Sequence, residues 1–258
     1  MNHHENRPPG ILQPATVAQP PVALVTGAAR RIGRQLALAL ARRNLAVAIH
    51  HNQSAAAAAA LVHEIQDSGG TAIAIQADFR DPETAAQLIF HHAAKLGPVH
   101  VLINNASVFD DQPLQTIHTP HCNNQLAVNL LAPLFLTQQF ANQLPANSPG
   151  HVINILDWRA LRPQSRWLVY TAAKAALAAA TRTLALQLAP VIQVNAIAPG
   201  AILPPDDLPE WHAERAKHSI PLQRTGSPEE LVRAVNFLLD SRFITGEILH
   251  VSGGEELQ

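Results

Sequence analysis

Only one cysteine, Cys122, occurs in the 258 residues, so the chain cannot close an internal disulfide. That agrees with a reducing cytoplasm, the expected location. Charge is also scarce. Charged side chains make up 14% of the sequence and sum to −1, which leaves no basic stripe for a nucleic-acid backbone. No run of about twenty apolar residues is present. The Ala-rich stretch 172–180 is broken by Lys174 and followed by Arg182, so it reads as a packed helix and no membrane partner is expected. Fourteen histidines are scattered, and the pairs at 3–4, 50–51 and 91–92 are neighbours, not the i,i+4 pairs of a helical metal site. No metal is expected. Residues 1–21 hold Pro8, Pro9, Pro14, Pro20 and Pro21 without a continuous apolar segment. They read as a mobile tail, not a secretory signal.

What is present in quantity is apolar surface, 47% of the residues, enough for a sizeable core. After the tail, short apolar runs alternate with longer helical patterns. Strands are predicted at 22–25, 45–49, 71–76, 99–103, 151–156, 191–197 and 247–251. Helices are predicted at 32–43, 54–67, 81–96, somewhere within 121–144, at 168–188 and at 227–240. Ser54 and Ser227 suit N-caps, Pro228 suits the first helical position, and Gly69-Gly70 suits a helix end. One strand per helix implies an α/β fold with a parallel sheet covered on both faces. A single Rossmann-type doubly wound domain over 22–258 follows. The rival is an (β/α)₈ barrel, which the glycine-containing first turn disfavours.

That turn reads Thr26-Gly27-Ala28-Ala29-Arg30-Arg31-Ile32-Gly33. It leaves a strand and enters a helix, the context in which free N–H groups and a positive dipole end meet a pyrophosphate. An ordinary strand-to-helix turn has the same spacing. The second strand chooses between cofactors. An NAD site places an acid at its end, whereas residues 48–54 read Ala-Ile-His-His-Asn-Gln-Ser. Arg30, Arg31 and Ser54 can instead receive a 2′-phosphate, which favours NADP; the alternative is a solvated pair of turn arginines. Asp78 ends the third strand and either accepts from an adenine amino group or caps the next helix. Asn104-Asn105-Ala106-Ser107 allows a sharp turn after the fourth strand.

Tyr170-Thr171-Ala172-Ala173-Lys174 carries the chemistry. On a helix, i,i+4 spacing sets Tyr170 and Lys174 on one face. An ammonium beside a phenol lowers its pKa from about 10 and makes a general acid/base. A surface helix pair has the same spacing.

From about Val22 to Gly254 the chain resembles the short-chain dehydrogenase/reductase family. The matching residues run in family order: Thr26-Gly27…Gly33, Asp78, Asn104-Asn105-Ala106, Asn129, Tyr170…Lys174, Pro199-Gly200, then Ile244-Thr245-Gly246 and Ser252-Gly253-Gly254. The resemblance implies catalytic roles for Tyr170 and Lys174, a water relay organised by Asn129, and a homotetramer. It also implies cofactor contacts from Gly27, Ile32, Asn105, Ala106, Ser107, Tyr170, Lys174, Pro199 and Gly200.

Two departures point to the pteridine reductase subgroup. Arg31 stands where the broad family has its middle glycine, and Asp157 stands where it has serine. Ser107, Phe109 and the segment Pro205-Asp206-Asp207-Leu208-Pro209…Trp211 are also similar to that subgroup. The resemblance implies NADPH-dependent reduction of a dihydropterin or dihydrofolate. Asp157 and Tyr170 would donate the proton, while Arg31, Ser107 and Phe109 would hold the small-molecule substrate. Gln53 replaces a phosphate-binding arginine common in the subgroup, leaving Arg30, Arg31, His50 and Ser54 for the 2′-phosphate. From the residues alone, Phe109 could be core, and Asp157 could cap or bridge to Arg159. Other readings are a carbonyl or 3-oxoacyl thioester reductase of the same fold, and a non-catalytic nucleotide-binding regulator.

Overall fold

A computed structural model describes residues 20–204 and 211–258. Among them, seven strands form one parallel sheet: β1 (Val22–Val25), β2 (Ala46–His51), β3 (Ala72–Gln76), β4 (Val99–Asn104), β5 (Gly150–Ile155), β6 (Ile192–Pro199) and β7 (Ile248–Val251). Their order is β3-β2-β1-β4-β5-β6-β7. The chain therefore winds outward from β1 in one direction, then from β4 in the other. The order reverses between β1 and β4, and sheets of this kind take ligands in the crevice outside the carboxyl ends at that point.

Residues of β1 and β2 are buried throughout, as a strand covered on both faces requires. On one face, α1 (Arg31–Arg42), α2 (Ala55–Asp67) and, toward the chain's end, α8 (Pro228–Asp240) pack Leu36, Leu40, Leu61, Ile65, Leu231 and Leu238 into one apolar layer. The other face is covered by α3 (Pro82–Ala93), α5 (Ala132–Gln143) and α6 (Leu168–Leu188), through Ile89, Phe90, Leu136, Phe140 and Ala185. Phe140 is fully buried, which stabilises the fold by roughly 1.5–3 kcal/mol.

Element by element, the alternation in the sequence is reproduced with boundaries shifted by at most three residues, and the first strand and the 168–188 helix fall as predicted. Gly69 does end the second helix, at φ +83. Ser54 and Ser227 sit at N-cap positions but make no side-chain cap bond. Asp81, not Asp78, caps α3, accepting from Thr84 N at 3.3 Å.

The helix predicted within 121–144 is the least regular. It begins as α4 (Thr119–Leu126), widens into a π turn over Ala127–Leu131, and resumes as α5. Pro133 explains the interruption. It has no N–H to give the carbonyl four residues back, that of Asn129, and its ring crowds that carbonyl. Helix α7 (Trp211–Ser219) has no counterpart in the sequence reading. Most of the tail expected at 1–21, and the stretch Pro205–Pro209, lie outside the described residues. Among those described, no helix is long and apolar enough to cross a membrane, and no cluster of three metal-ligating side chains occurs.

Candidate active site

The crevice is built first from hydrogen bonds that tie β1 to β4. Thr26 Oγ1 accepts from the backbone N–H groups of Asn105 and Ala106, both at 2.9 Å. Asn105 Nδ2 returns a proton to the Thr26 carbonyl at 2.8 Å and to that of Gly27 at 3.2 Å. Gly27 has φ +61, and a Cβ there would lie 2.9 Å from Ala106 Cα. A side chain would therefore push the two strand ends apart.

His50 lies beneath this turn, 2% exposed. Its Nδ1 accepts from Gly27 N at 3.1 Å, so Nε2 carries the proton, facing the Ala77 carbonyl at 3.2 Å. Burial pushes its pKa down to about 4, against the pull of that carbonyl. Both ring nitrogens are occupied and the ring rests on Phe79. The sequence reading of His50 as a 2′-phosphate contact is thus corrected: it supports the turn from below. Its carbonyl accepts from Ala28 N at 2.9 Å as well.

With the Gly27 and Ala28 amides engaged, anion capture falls to the start of α1. Arg30 occupies its N-cap position without a side-chain cap bond, so the helix end is open to an external acceptor. Arg30 and Arg31 are exposed, Ser54 is half-buried, and Ile32 packs against the first core layer. Arg31 has φ +53, the left-handed region that explains why the broad family resembled here has glycine. Its Nη2 donates to the Pro204 carbonyl at 2.9 Å. Arg31 therefore links the turn to the segment after β6. At the far side, Asp78 is held by Arg80, whose N and Nε donate at 2.9 and 2.8 Å. That bonding lowers the Asp78 pKa.

The other half of the crevice gathers Ser107, Phe109, Asn129, Asp157, Tyr170 and Lys174. Tyr170 donates to Asp157 Oδ2 at 3.1 Å. Lys174 donates from Nζ to the Ile155 carbonyl at 2.8 Å and stands 5.9 Å from the Tyr170 ring centre. One helix face does present both, as the spacing predicted. The electrostatics differ from expectation. Burial first, then the Asp157 charge, raises the Tyr170 pKa well above 10, outweighing Arg159 and Ser107, which lower it. Burial also lowers Lys174 to about 8, opposed by Asp157.

Asn129 is fully buried in the π turn. Its amide meets Val108 O at 2.9 Å and the Gln125 amide at 2.8 Å, and Ser107 Oγ donates to its Oδ1 at 2.7 Å. Phe109 is 49% exposed, which rules out a core role. It stacks on Trp167 at 5.1 Å and meets the Tyr170 ring edge-on at 4.7 Å. Pro199 ends β6. Gly200 donates to Val251 O at 3.0 Å, and a Cβ there would lie 2.7 Å from Ser252 Cα.

Asp157 does bridge to Arg159, the alternative the sequence offered, and Arg159 lies over Trp158 and Trp167. Other contributors were given no role from sequence. Asp111 accepts from Trp167 N at 2.8 Å and from Arg166 Nε at 2.6 Å, fixing the loop that enters α6. Asn104, Asn154 and Thr181 form a buried chain of bonds at 2.8 and 2.9 Å beneath the site. Glu255, 2% exposed, accepts from Ala201 N at 3.1 Å and pairs with Arg215 of α7. Burial raises its pKa, with Arg215 opposing.

A parallel sheet with a β1–α1 anion turn and an acid/base cluster across the switch point defines a nucleotide-dependent oxidoreductase architecture. Residues 21–213 match the short chain dehydrogenase family, and the chain belongs to it. The FolM alternative dihydrofolate reductase 1 of Brucella canis, solved with NADP, is similar in structure with a TM-score of 0.88 and 38% identity, covering 92% of this chain and 94% of that one. Its counterpart from Brucella suis, also with NADP, gives 0.84 and 37%, covering 92% and 96%. A 3-oxoacyl-[acyl-carrier-protein] reductase of Synechocystis sp. is 36% identical over 237 residues, 90% of this chain and 96% of that protein.

Proposed function

We propose that this chain is an NADPH-dependent pteridine reductase, taking a dihydropterin or dihydrofolate to the tetrahydro form. The observation that carries the reading is the Asp157 carboxylate 3.1 Å from the Tyr170 hydroxyl, beside the exposed Phe109 ring. A pterin is flat and presents ring nitrogens. Phe109 offers it a face, and the Tyr170–Asp157 pair offers its nitrogen a proton. The NADP-containing Brucella structures support the same substrate class and cofactor.

The residues fit the cofactor. The uncapped start of α1 would take the pyrophosphate, and Arg30, Arg31 and Ser54 would take the 2′-phosphate. Asp78 would serve the adenine, Asn105, Ala106, Ser107, Pro199 and Gly200 the nicotinamide end, and Tyr170 and Lys174 the ribose. When bound, NADPH supplies a hydride to a ring carbon and leaves oxidised. The chain's own groups manage the proton. Tyr170 and Asp157 hold it at the phenol oxygen, and Asn129 organises its replacement through water. On this reading residues 22–258 form the NADP-binding unit, and the working form is a cytoplasmic homotetramer.

A second reading, reduction of a 3-oxoacyl thioester, is favoured by the Synechocystis relative. NADPH oxidation with a dihydropterin, dihydrofolate, a simple ketone and an oxoacyl thioester separates them. Turnover confined to the thioester rejects the pteridine reading, and no turnover with any substrate supports a non-catalytic nucleotide-binding protein.

A further inference from the structure

We propose that Arg159 is a positioning residue that keeps Asp157 an acceptor-only carboxylate, so that the transferable proton sits on Tyr170 and not on Asp157. The proposal rests on the reductase reading above. Its basis is the set of bonds around Asp157. Oδ1 accepts from Arg159 N at 2.9 Å and from Arg159 Nη1 at 3.1 Å; Oδ2 accepts from Nη1 at 3.2 Å and from the Tyr170 hydroxyl at 3.1 Å. Three of these four bonds come from Arg159 N–H groups, which can only donate. A protonated carboxyl could offer its O–H only from Oδ2 to the Tyr170 hydroxyl, and would give up charge-assisted bonds to the guanidinium in doing so.

The guanidinium cannot drift away. Its carbon lies 4.8 Å from the Trp158 ring centre, 4.9 Å from that of Trp167 and 6.0 Å from that of Phe109. Side-chain exposure is 14% for Arg159 and 15% for Asp157, so the pair is shielded from water and interacts strongly. Other charged and titratable groups also act here. Tyr170 and Lys174 approach from α6, and Glu255, paired with Arg215, approaches from the C-terminal turn. Arg159 is distinguished by touching both carboxylate oxygens. In the transfer, the Tyr170 O–H bond breaks as the substrate N–H bond forms, the phenolate regains its proton from solvent, and Asp157 stays ionised throughout.

The test is a double-mutant cycle with Arg159→Met, which fills the aromatic slot without charge, and Asp157→Asn. If Arg159 acts through Asp157, Arg159→Met lowers kcat for dihydropterin about tenfold in the parent and less than twofold in Asp157→Asn, with KM for NADPH unchanged. Equal losses in both backgrounds, or no loss in the parent, overturn the proposal. Should Arg159→Met not fold, Arg159→Lys keeps the charge without the fork. About threefold is then expected in the parent and none in Asp157→Asn, with the same overturning outcome.

A second readout needs no substrate. Without the guanidinium, a shielded Asp157 carboxylate costs stability that a neutral side chain there does not. Tm of Arg159→Met therefore falls below the parent's by about 5 °C at pH 7, and the same substitution in Asp157→Asn lowers Tm by less than half as much. An equal fall in both backgrounds marks Arg159 as packing only and overturns the proposal. If the parent reduces no pterin, the substrate reading fails while this measurement still decides the role of Arg159.

Discussion

Tyr170 gives its hydroxyl proton to Asp157 at 3.1 Å, while Lys174, one helical turn on, gives its own to the Ile155 carbonyl at 2.8 Å. The phenol and the ammonium are thus neighbours with separate partners. A buried phenol facing a carboxylate holds its proton tightly. Its readiness to give that proton up then depends on what substrate and cofactor add to the crevice: a ring nitrogen gaining basicity as hydride arrives is an acceptor that Asp157 is not. The resting geometry stores the proton, and the reaction draws it off.

Tyr170→Phe removes that proton and leaves the ring's packing against Phe109. Turnover should fall by roughly 10²–10⁴-fold, the usual contribution of a positioned acid. NADPH affinity, measured by fluorescence titration, should stay within about threefold of the parent. Full activity in this variant would remove the proposed mechanism.

Cofactor choice follows from the charge around the end of β2. Residues 50–54 carry no acid, and Arg30 and Arg31 lie exposed across the turn. NADPH should therefore bind more tightly than NADH, and the difference should shrink with salt. Gln53 is exposed in the same loop. Gln53→Arg adds a bidentate donor for a 2′-phosphate and should tighten NADPH about two- to fivefold, the scale of an exposed ion pair, with NADH unchanged. An equal gain for both cofactors places residue 53 away from the 2′-phosphate.

His50 makes the fold sensitive to acid. Its pKa falls from 6.5 to about 4 because burial disfavours the charged ring. The folded state then binds fewer protons than the unfolded one between those values. Its stability is complete above about pH 6.5 and is lost as pH falls toward 4. By pH 5 the loss from this one group is on the order of 2 kcal/mol. His151, lowered to about 4 by burial, adds to the same trend. Urea unfolding at pH 7.5 and pH 5 should show the drop in the parent and a smaller one in His50→Gln. Identical drops would mean His50 is not what titrates.

How much of this could be read from residues alone depended on the range of the interaction. The alternation of strands and helices is local, and so is the Tyr170–Lys174 spacing; both survive in the structure. Pro133, four residues after Asn129, was a local signal for the π turn, since a proline cannot bond the carbonyl four positions back. The placement of His50 was different. Its sequence context is a strand end followed by polar residues, but the distant Ala77 carbonyl and Gly27 amide claim both nitrogens. Trp167 likewise takes φ +58 while Asp111, fifty-six positions away, holds its N–H. No short-range pattern announces such a contact, and the aromatic slot around Arg159 was missed for that reason.

The residue that separates the two leading substrate classes is Asp157, so its substitution is the sharpest test of function. A ketone carbonyl, including the 3-oxo group of an oxoacyl thioester, develops negative charge on oxygen as hydride arrives, and a carboxylate beside it raises that barrier. A pterin nitrogen instead takes up a proton, and a carboxylate that aims the Tyr170 hydroxyl assists it. Asp157→Ser replaces the charge with a hydroxyl donor. It should lower kcat/KM for a dihydropterin and raise it for an oxoacyl thioester, reversing the preference. Asp157→Asn keeps the volume and an acceptor oxygen but not the charge that aims the Tyr170 hydroxyl, so pterin turnover should fall. NADPH should still bind to both variants, because the anion turn at α1 lies across the crevice. Parallel rates on the two substrates, measured for parent, Asp157→Asn and Asp157→Ser, give the answer. If Asp157→Asn reduces dihydropterin at the parent rate, Asp157 serves only as a cap for the turn at Trp158–Ala160, and the pteridine reading loses its main chemical support.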